Sequence, residues 1–93
     1  VTTVKVERTV EVINERGLHA RASAKFVKLA GEFDAEVTVT RDGQTVDARS
    51  IMGLMMLAAG PGSSIAIAAE GADAQAAVDA LADLVSARFH EDR

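Results

Sequence analysis

The sequence predicts an α+β domain in which an antiparallel sheet carries helices on one face. Two observations predict it. Segments with the period of two of a strand and segments with the 3.6-residue period of a helix succeed one another in the order strand, helix, strand, strand, helix, strand, helix. The second and third strands are joined by Arg41-Asp42-Gly43, and an Asp-Gly pair between alternating segments is a strong hairpin signal. From pattern alone the same order also allows a ferredoxin-like split βαβ arrangement.

Residues 1–7 alternate Val and Thr with charge and are expected to be a loosely held extension. Thr9 to Ile13 sets Val10 and Val12 on one side with Glu11 opposite, the pattern of a strand with one buried face. Asn14-Glu15-Arg16-Gly17 then turns the chain. From Ala20 to Ala30 the helical spacing places Ser23, Phe26, Val27 and Ala30 on a buried face, while Ala20, Ala24 and Lys28 share a second stripe. Gly31 suits a helix C-terminus. The hairpin follows, Ala35 to Thr40 and Gln44 to Ala48, with Val37 and Val39 toward the core.

Arg49-Ser50 opens a short second helix, with Ser50 placed to accept a hydrogen bond from a free first-turn amide. Leu54, Leu57 and Ala58 form one apolar face of it and Ile51, Met52 and Met55 another, and only one of the two can enter so small a core. Gly60-Pro61-Gly62-Ser63 ends the helix. Ser64 to Ala69 is the last strand, alternating Ile65 and Ile67 with small residues. Asp73 is the expected N-cap of a final helix reaching about Phe89, with Val78, Leu81, Ala82, Val85 and Phe89 in one stripe. Residues 90–93 are expected to be a loose tail, and His90 has no partner pattern that would give it a role.

Composition narrows the function. Ninety-three residues make one domain, and an apolar fraction of 48%, much of it alanine, is enough to fill a core. Three phenylalanines as the only aromatics, with a formal net charge of −4, oppose nucleic-acid binding. There is no cysteine, and two histidines do not make a zinc site, so no metal and no cofactor is expected. No apolar run approaches the roughly twenty residues of a membrane span, and the N-terminus lacks a signal-peptide layout, so a cytoplasmic chain without a membrane partner is expected.

The chemistry concentrates at His19. It follows a glycine turn and precedes the first helix, so its ring stands at a helix N-terminus. The first amides there have no intrahelical partner and the peptide dipoles sum to partial positive charge, which stabilises an anion. With Arg21 two residues on, the place suits a phosphate carried by the histidine. One histidine without a positioned nucleophile or carboxylate partner does not make a hydrolase.

Gly17-Leu18-His19-Ala20-Arg21, followed by Phe26-Val27 and later by Arg49-Ser50-Ile51-Met52-Gly53-Leu54-Met55, resembles HPr, the histidine-containing phosphocarrier family of the bacterial phosphotransferase system. The similarity covers about residues 8 to 89. It implies an open-faced β-sandwich, four antiparallel strands with three helices on one face (βαββαβα). It also implies a carrier rather than an enzyme, with His19 accepting a phosphoryl group on Nδ1 from enzyme I and passing it to an enzyme IIA-type acceptor, in sugar uptake or nitrogen-related regulation. The amides of Ala20, Arg21 and Ala22 and the Arg21 guanidinium are expected around the phosphoryl oxygens. The family usually has proline where this chain has Ala22, a change that puts the rigidity of the turn in question.

By the same resemblance, Ala20, Ala24, Lys28, Ile51, Met52 and Met55 form the partner-docking patch, where flexible thioethers can repack against several surfaces. Ser50 has two readings, a helix cap or a regulatory site for an HPr serine kinase/phosphorylase. A monomer is expected. The competing class is a small ferredoxin-like regulatory module in which Gly60-Pro61-Gly62-Ser63 binds a ligand and His19 is incidental.

Overall fold

The computed structural model describes residues 4–93. Strand β1 (Lys5–Glu11) leads to helix α1 (Ala20–Ala30), then to β2 (Glu36–Arg41), β3 (Gln44–Asp47), α2 (Ile51–Met56), β4 (Ser64–Glu70) and α3 (Ala74–Ser86), and a 3-10 turn (Arg88–His90) closes the chain. The four strands form one sheet in the order β1-β4-β2-β3, every neighbouring pair antiparallel. The neighbours of β4 in the chain are the helices α2 and α3, so β4 takes its place between β1 and β2 only through long-range pairing.

Alternation along β2 and β4 turns Val37, Val39, Ile65, Ile67 and Ala69 into the core, where they meet Phe26 of α1, Leu54 of α2 with Leu57 at its C-cap, and Val78, Leu81 and Val85 of α3. α3 lies across β1 and β4, and α1 packs on α2 and α3. Phe26 and Phe89 are the largest side chains with no exposed surface. Burying a phenylalanine of this kind contributes about 2–3 kcal/mol from the water-excluded area.

The first helix occupies the span its periodicity predicts. Its buried residues are Ala22, Ser23, Phe26 and Ala30, with Val27 half-buried at the border. Ser23 is tolerated inside because its hydroxyl donates to the Leu18 carbonyl at 3.3 Å.

Elsewhere the structure departs from the sequence expectations. Lys5 to Glu7 are strand rather than loose extension: Lys5 pairs with Glu70 and Glu7 with Ala68, so β1 begins four residues before Thr9. Residues 1–3 of that segment lie outside the described residues. Asp73 does sit at the N-cap position of α3 but caps nothing, because its carboxylate instead accepts the Asp34 amide at 2.8 Å, tying the helix start to the approach to β2. α3 ends at Ser86, not Phe89, and Arg88, Phe89 and His90 all take left-handed φ values of 57°, 53° and 62°. Ala58 is exposed rather than buried, since the chain leaves α2 at Leu57 and Ala58 turns left-handed at φ 53°, which brings Ala59 inward in its place. Gly60 to Ser63 is a structural turn, held by Gly62 N–H to the Val12 carbonyl at 2.8 Å and Val12 N–H to the Ser63 carbonyl at 2.8 Å.

Candidate functional site

The turn before His19 is built for close approach. Gly17 takes φ 63°, and a Cβ there would lie 2.3 Å from the Ala59 carbonyl oxygen, so only glycine lets the two segments meet. Leu18 N–H then donates to that same carbonyl at 2.9 Å, and the Leu18 side chain is buried. Fully buried Asn14 braces the turn from inside by donating through Nδ2 to the Gly17 carbonyl at 2.9 Å. The residue after this brace has little freedom left, and that residue is His19.

His19 is itself the N-cap of α1, with extended backbone (φ −76°, ψ −179°). Its Nδ1 accepts the Arg21 amide at 3.3 Å, in the way that a serine or aspartate oxygen caps a helix. A nitrogen that accepts holds a lone pair rather than a proton, so in the neutral ring the proton resides on Nε2. That proton points at Glu91, whose Oε2 lies 2.5 Å from Nε2. Seen from the helix, one edge of the imidazole presents a lone pair at the positive end of a dipole, and the other donates to a carboxylate.

The C-terminal residues bring Glu91 there. Asn14 Nδ2 donates to Glu91 Oε1 at 3.0 Å, Lys25 Nζ donates to the Phe89 carbonyl at 2.6 Å, and Glu15 N–H donates to the Arg93 carbonyl at 3.0 Å. Burial would push the Glu91 carboxyl up, yet the hydrogen bonds from Asn14 and His19 and the charges of His19 and Lys25 outweigh it and hold it below the ordinary carboxylate range. The side chains of His19 and Glu91 keep 24% and 16% of their surface exposed, so the pair is reachable from solvent. Around it, Arg16, Arg21, Lys25 and Arg93 line an open cleft of ≈490 Å³ together with Glu15, His90 and Asp92.

Of the residues singled out in the sequence, His19, Ala20 and Arg21 come together here. The Arg21 side chain is exposed and makes no ion pair among the described residues. Ala20 and Arg21 are exposed, whereas Ala22, whose amide also belongs to the first turn of α1, is buried in the core cluster. The tail expected to be loose is instead tied down by Lys25, Asn14 and Glu15. His90 is exposed and its side chain bonds no other described residue. From the sequence Asn14 reads only as part of the turn and Lys25 and Glu91 are given no role, and nothing local to any of them marks its part in the site.

The second group lies on α2. Ser50 caps that helix, its Oγ accepting the Gly53 amide at 2.9 Å. Beside it Ile51, Met52 and Met55 are exposed, as is Met56, which stands one turn after Met52 and was not singled out. On α1, Ala20 and Lys28 are exposed and Ala24 half-buried. Asp47, just before this helix, is held below the ordinary carboxylate range chiefly by hydrogen bonds from the Arg49 side chain and backbone. No cluster of His, Cys, Asp or Glu among the described residues could hold a metal ion, and no described helix is long and apolar enough to cross a membrane.

With this geometry in view, comparison with known proteins is decisive. Residues 6–87 match the family model described as "PTS HPr component phosphorylation site". The chain belongs to the HPr family of phosphocarrier proteins. It is 52% identical over 86 residues to the phosphocarrier protein HPr of Cupriavidus necator, a match covering 92% of this chain and 97% of that one. It is 47% identical over 87 residues to the phosphocarrier protein NPr of Shewanella violacea, covering 94% and 96%. The crystal structure of HPr-C-His from Thermoanaerobacter tengcongensis superposes with a TM-score of 0.90 at 41% identity over 95% of this chain and 99% of that chain. A crystal structure of an HPr dimer from the same organism matches at a TM-score of 0.74 and 41% identity, covering 88% and 94%. These likenesses decide the fold in favour of the HPr arrangement over the ferredoxin-like one. An HPr is a carrier on which other proteins act, not a catalyst.

Proposed function

We propose that His19 is the phosphoryl acceptor, that it takes the group on Nδ1 from the phosphorylated histidine of enzyme I, and that it yields it to an enzyme IIA-type protein. The observation that carries this reading is the ring's orientation: Nδ1 faces the first-turn amides while Nε2 is engaged by Glu91. A lone pair in that position can attack phosphorus in line while the Ala20 and Arg21 amides receive the equatorial oxygens. The Arg21 guanidinium, exposed and without an ion pair among the described residues, can swing in as charge gathers. Because the site is open, the phosphoryl group stays weakly enough held to be passed on.

In this reading Ala20, Ala24, Lys28, Ile51, Met52 and Met55 dock the partners, and exposed Met56 joins them. Ser50 is placed within that patch, and its phosphorylation by an HPr serine kinase would set nearly two negative charges among the docking side chains. The chain works as a monomer, in sugar uptake or in nitrogen-related regulation. The two routes separate by which IIA protein drains the label.

Incubation with enzyme I and labelled phosphoenolpyruvate tests the assignment. An acid-labile, base-stable phosphoamidate that vanishes in His19→Ala is expected. Label persisting in that variant contradicts it.

A further inference from the structure

Glu91 stands outside the family match, which ends at residue 87, yet it makes the shortest polar contact of the His19 ring. We propose that Glu91 is a positioning residue for phosphoryl transfer: it fixes the His19 ring with its proton on Nε2 and stabilises the positive charge the ring acquires as Nδ1 bonds to phosphorus. This rests on the reading of His19 as acceptor.

The carboxylate is not a casual contact of a free tail. Its Oε1 is held by Asn14, a fully buried side chain whose Nδ2 also holds the Gly17 carbonyl, so the groups that shape the His19 turn and the group that grips its ring share one rigid amide. Upstream, Phe89 is wholly buried and its carbonyl is held by Lys25. Three consecutive non-glycine residues, Arg88 to His90, adopt the left-handed conformation that L side chains disfavour, and the chain keeps it because these anchors over-determine it. The result of that turn is to bring Glu91 across the ring from a helix that has already ended.

The transfer step shows what the contact does. The Nδ1 lone pair of His19 forms the new N–P bond as the bond from phosphorus to the donor's ring nitrogen breaks, and that bonding pair remains on the donor nitrogen. His19 keeps its proton on Nε2, so its ring gains one positive charge and the donor ring gives up the same charge. A carboxylate hydrogen-bonded to Nε2–H stabilises the charged ring and removes the unproductive tautomer, the role that a buried carboxylate has beside a catalytic histidine.

Histidine-selective nitrogen NMR at about pH 8.5, above the ordinary imidazole range, reads both rings in one sample, with exposed His90 as reference. In the unaltered chain His19 Nδ1 is expected to be unprotonated and Nε2 protonated, apart from the tautomer mixture of His90. In Glu91→Ala the His19 shifts move toward those of His90, and the rate constant for transfer from phosphorylated enzyme I falls about ten-fold. Glu91→Gln retains an acceptor oxygen without the charge, so it keeps the tautomer but not the full rate. Label at His19 with shifts and rates that do not respond to either substitution overturns this proposal alone. Absence of label at His19 in the unaltered chain overturns the acceptor reading, and this proposal with it.

Discussion

Two helices of this protein begin in the same way and end up with different chemistry. At α1 the capping atom is His19 Nδ1, 3.3 Å from an amide two residues on, and at α2 it is Ser50 Oγ, 2.9 Å from an amide three residues on. Both satisfy an orphan donor by the same local rule. What differs is the surroundings. The His19 cap is long, polar-sided and gripped on its far edge by a residue from the other end of the chain, whereas the Ser50 cap is short, local and flanked by exposed Ile51, Met52, Met55 and Met56. A cap becomes a candidate for chemistry when its acceptor is loosely held by the helix and tightly held by something else. The Ser50 cap stands instead beside a row of exposed apolar side chains, the surface proposed above for recognition.

The comparison can be broken most severely at Gly17. Gly17→Ala adds a Cβ to a left-handed residue against the Ala59 carbonyl, and should lower the free energy of unfolding by on the order of 3 kcal/mol, read by urea denaturation. The equivalent insult at α2, Gly53→Ala, meets only the Ser50 and Val46 side chains at 3.1–3.2 Å and should cost clearly less.

The two caps themselves come next. Ser50→Ala should cost about 1 kcal/mol of stability and leave labelling of His19 unchanged. Ser50→Asp should retain a cap, since aspartate accepts as well as serine, while slowing phosphorylation by enzyme I several-fold in a salt-dependent way. Equal rates for Ser50→Asp and the unaltered chain would remove Ser50 from the docking patch.

The smallest effect separates the gripped cap from the local one by acid. A carboxyl held below its ordinary value when folded contributes stability that is fully present above that ordinary value and is lost as pH falls through the lower, folded one. Docking of residues 88–93 should therefore be complete above about pH 4.3 and loosen only below it, as followed by the amide resonances of Glu91 and Asp92. The Ser50 cap involves no titrating atom, and the Gly53 amide resonance should not follow that transition.

Much of this was legible in the sequence because it is governed by neighbours. The bounds of α1 follow from the spacing of Ser23, Phe26 and Ala30, the hairpin from Asp42-Gly43, and the stripe from Val78 to Val85 from helical period; each depends on contacts within a few residues. The start of β1 was not legible, because Lys5 to Glu7 are an edge strand that gains order only by pairing with Glu70 to Ala68. The path after Ser86 was equally hidden, since no composition signal foretells three left-handed residues. Glu91 is the sharpest case. Its position is fixed by Asn14 and His19, more than seventy positions away, and an acidic residue in a charged terminal segment reads as solvated until the fold closes on it.

The central claim is that one particular nitrogen of His19 accepts the phosphoryl group. Phosphorus–nitrogen correlation NMR of the phosphorylated chain, with the ring nitrogens labelled, addresses it directly. Phosphorus bonded to His19 Nδ1, with a proton remaining on Nε2, is the predicted result. Phosphorus on Nε2, on His90 or on an oxygen of Ser50 would contradict it.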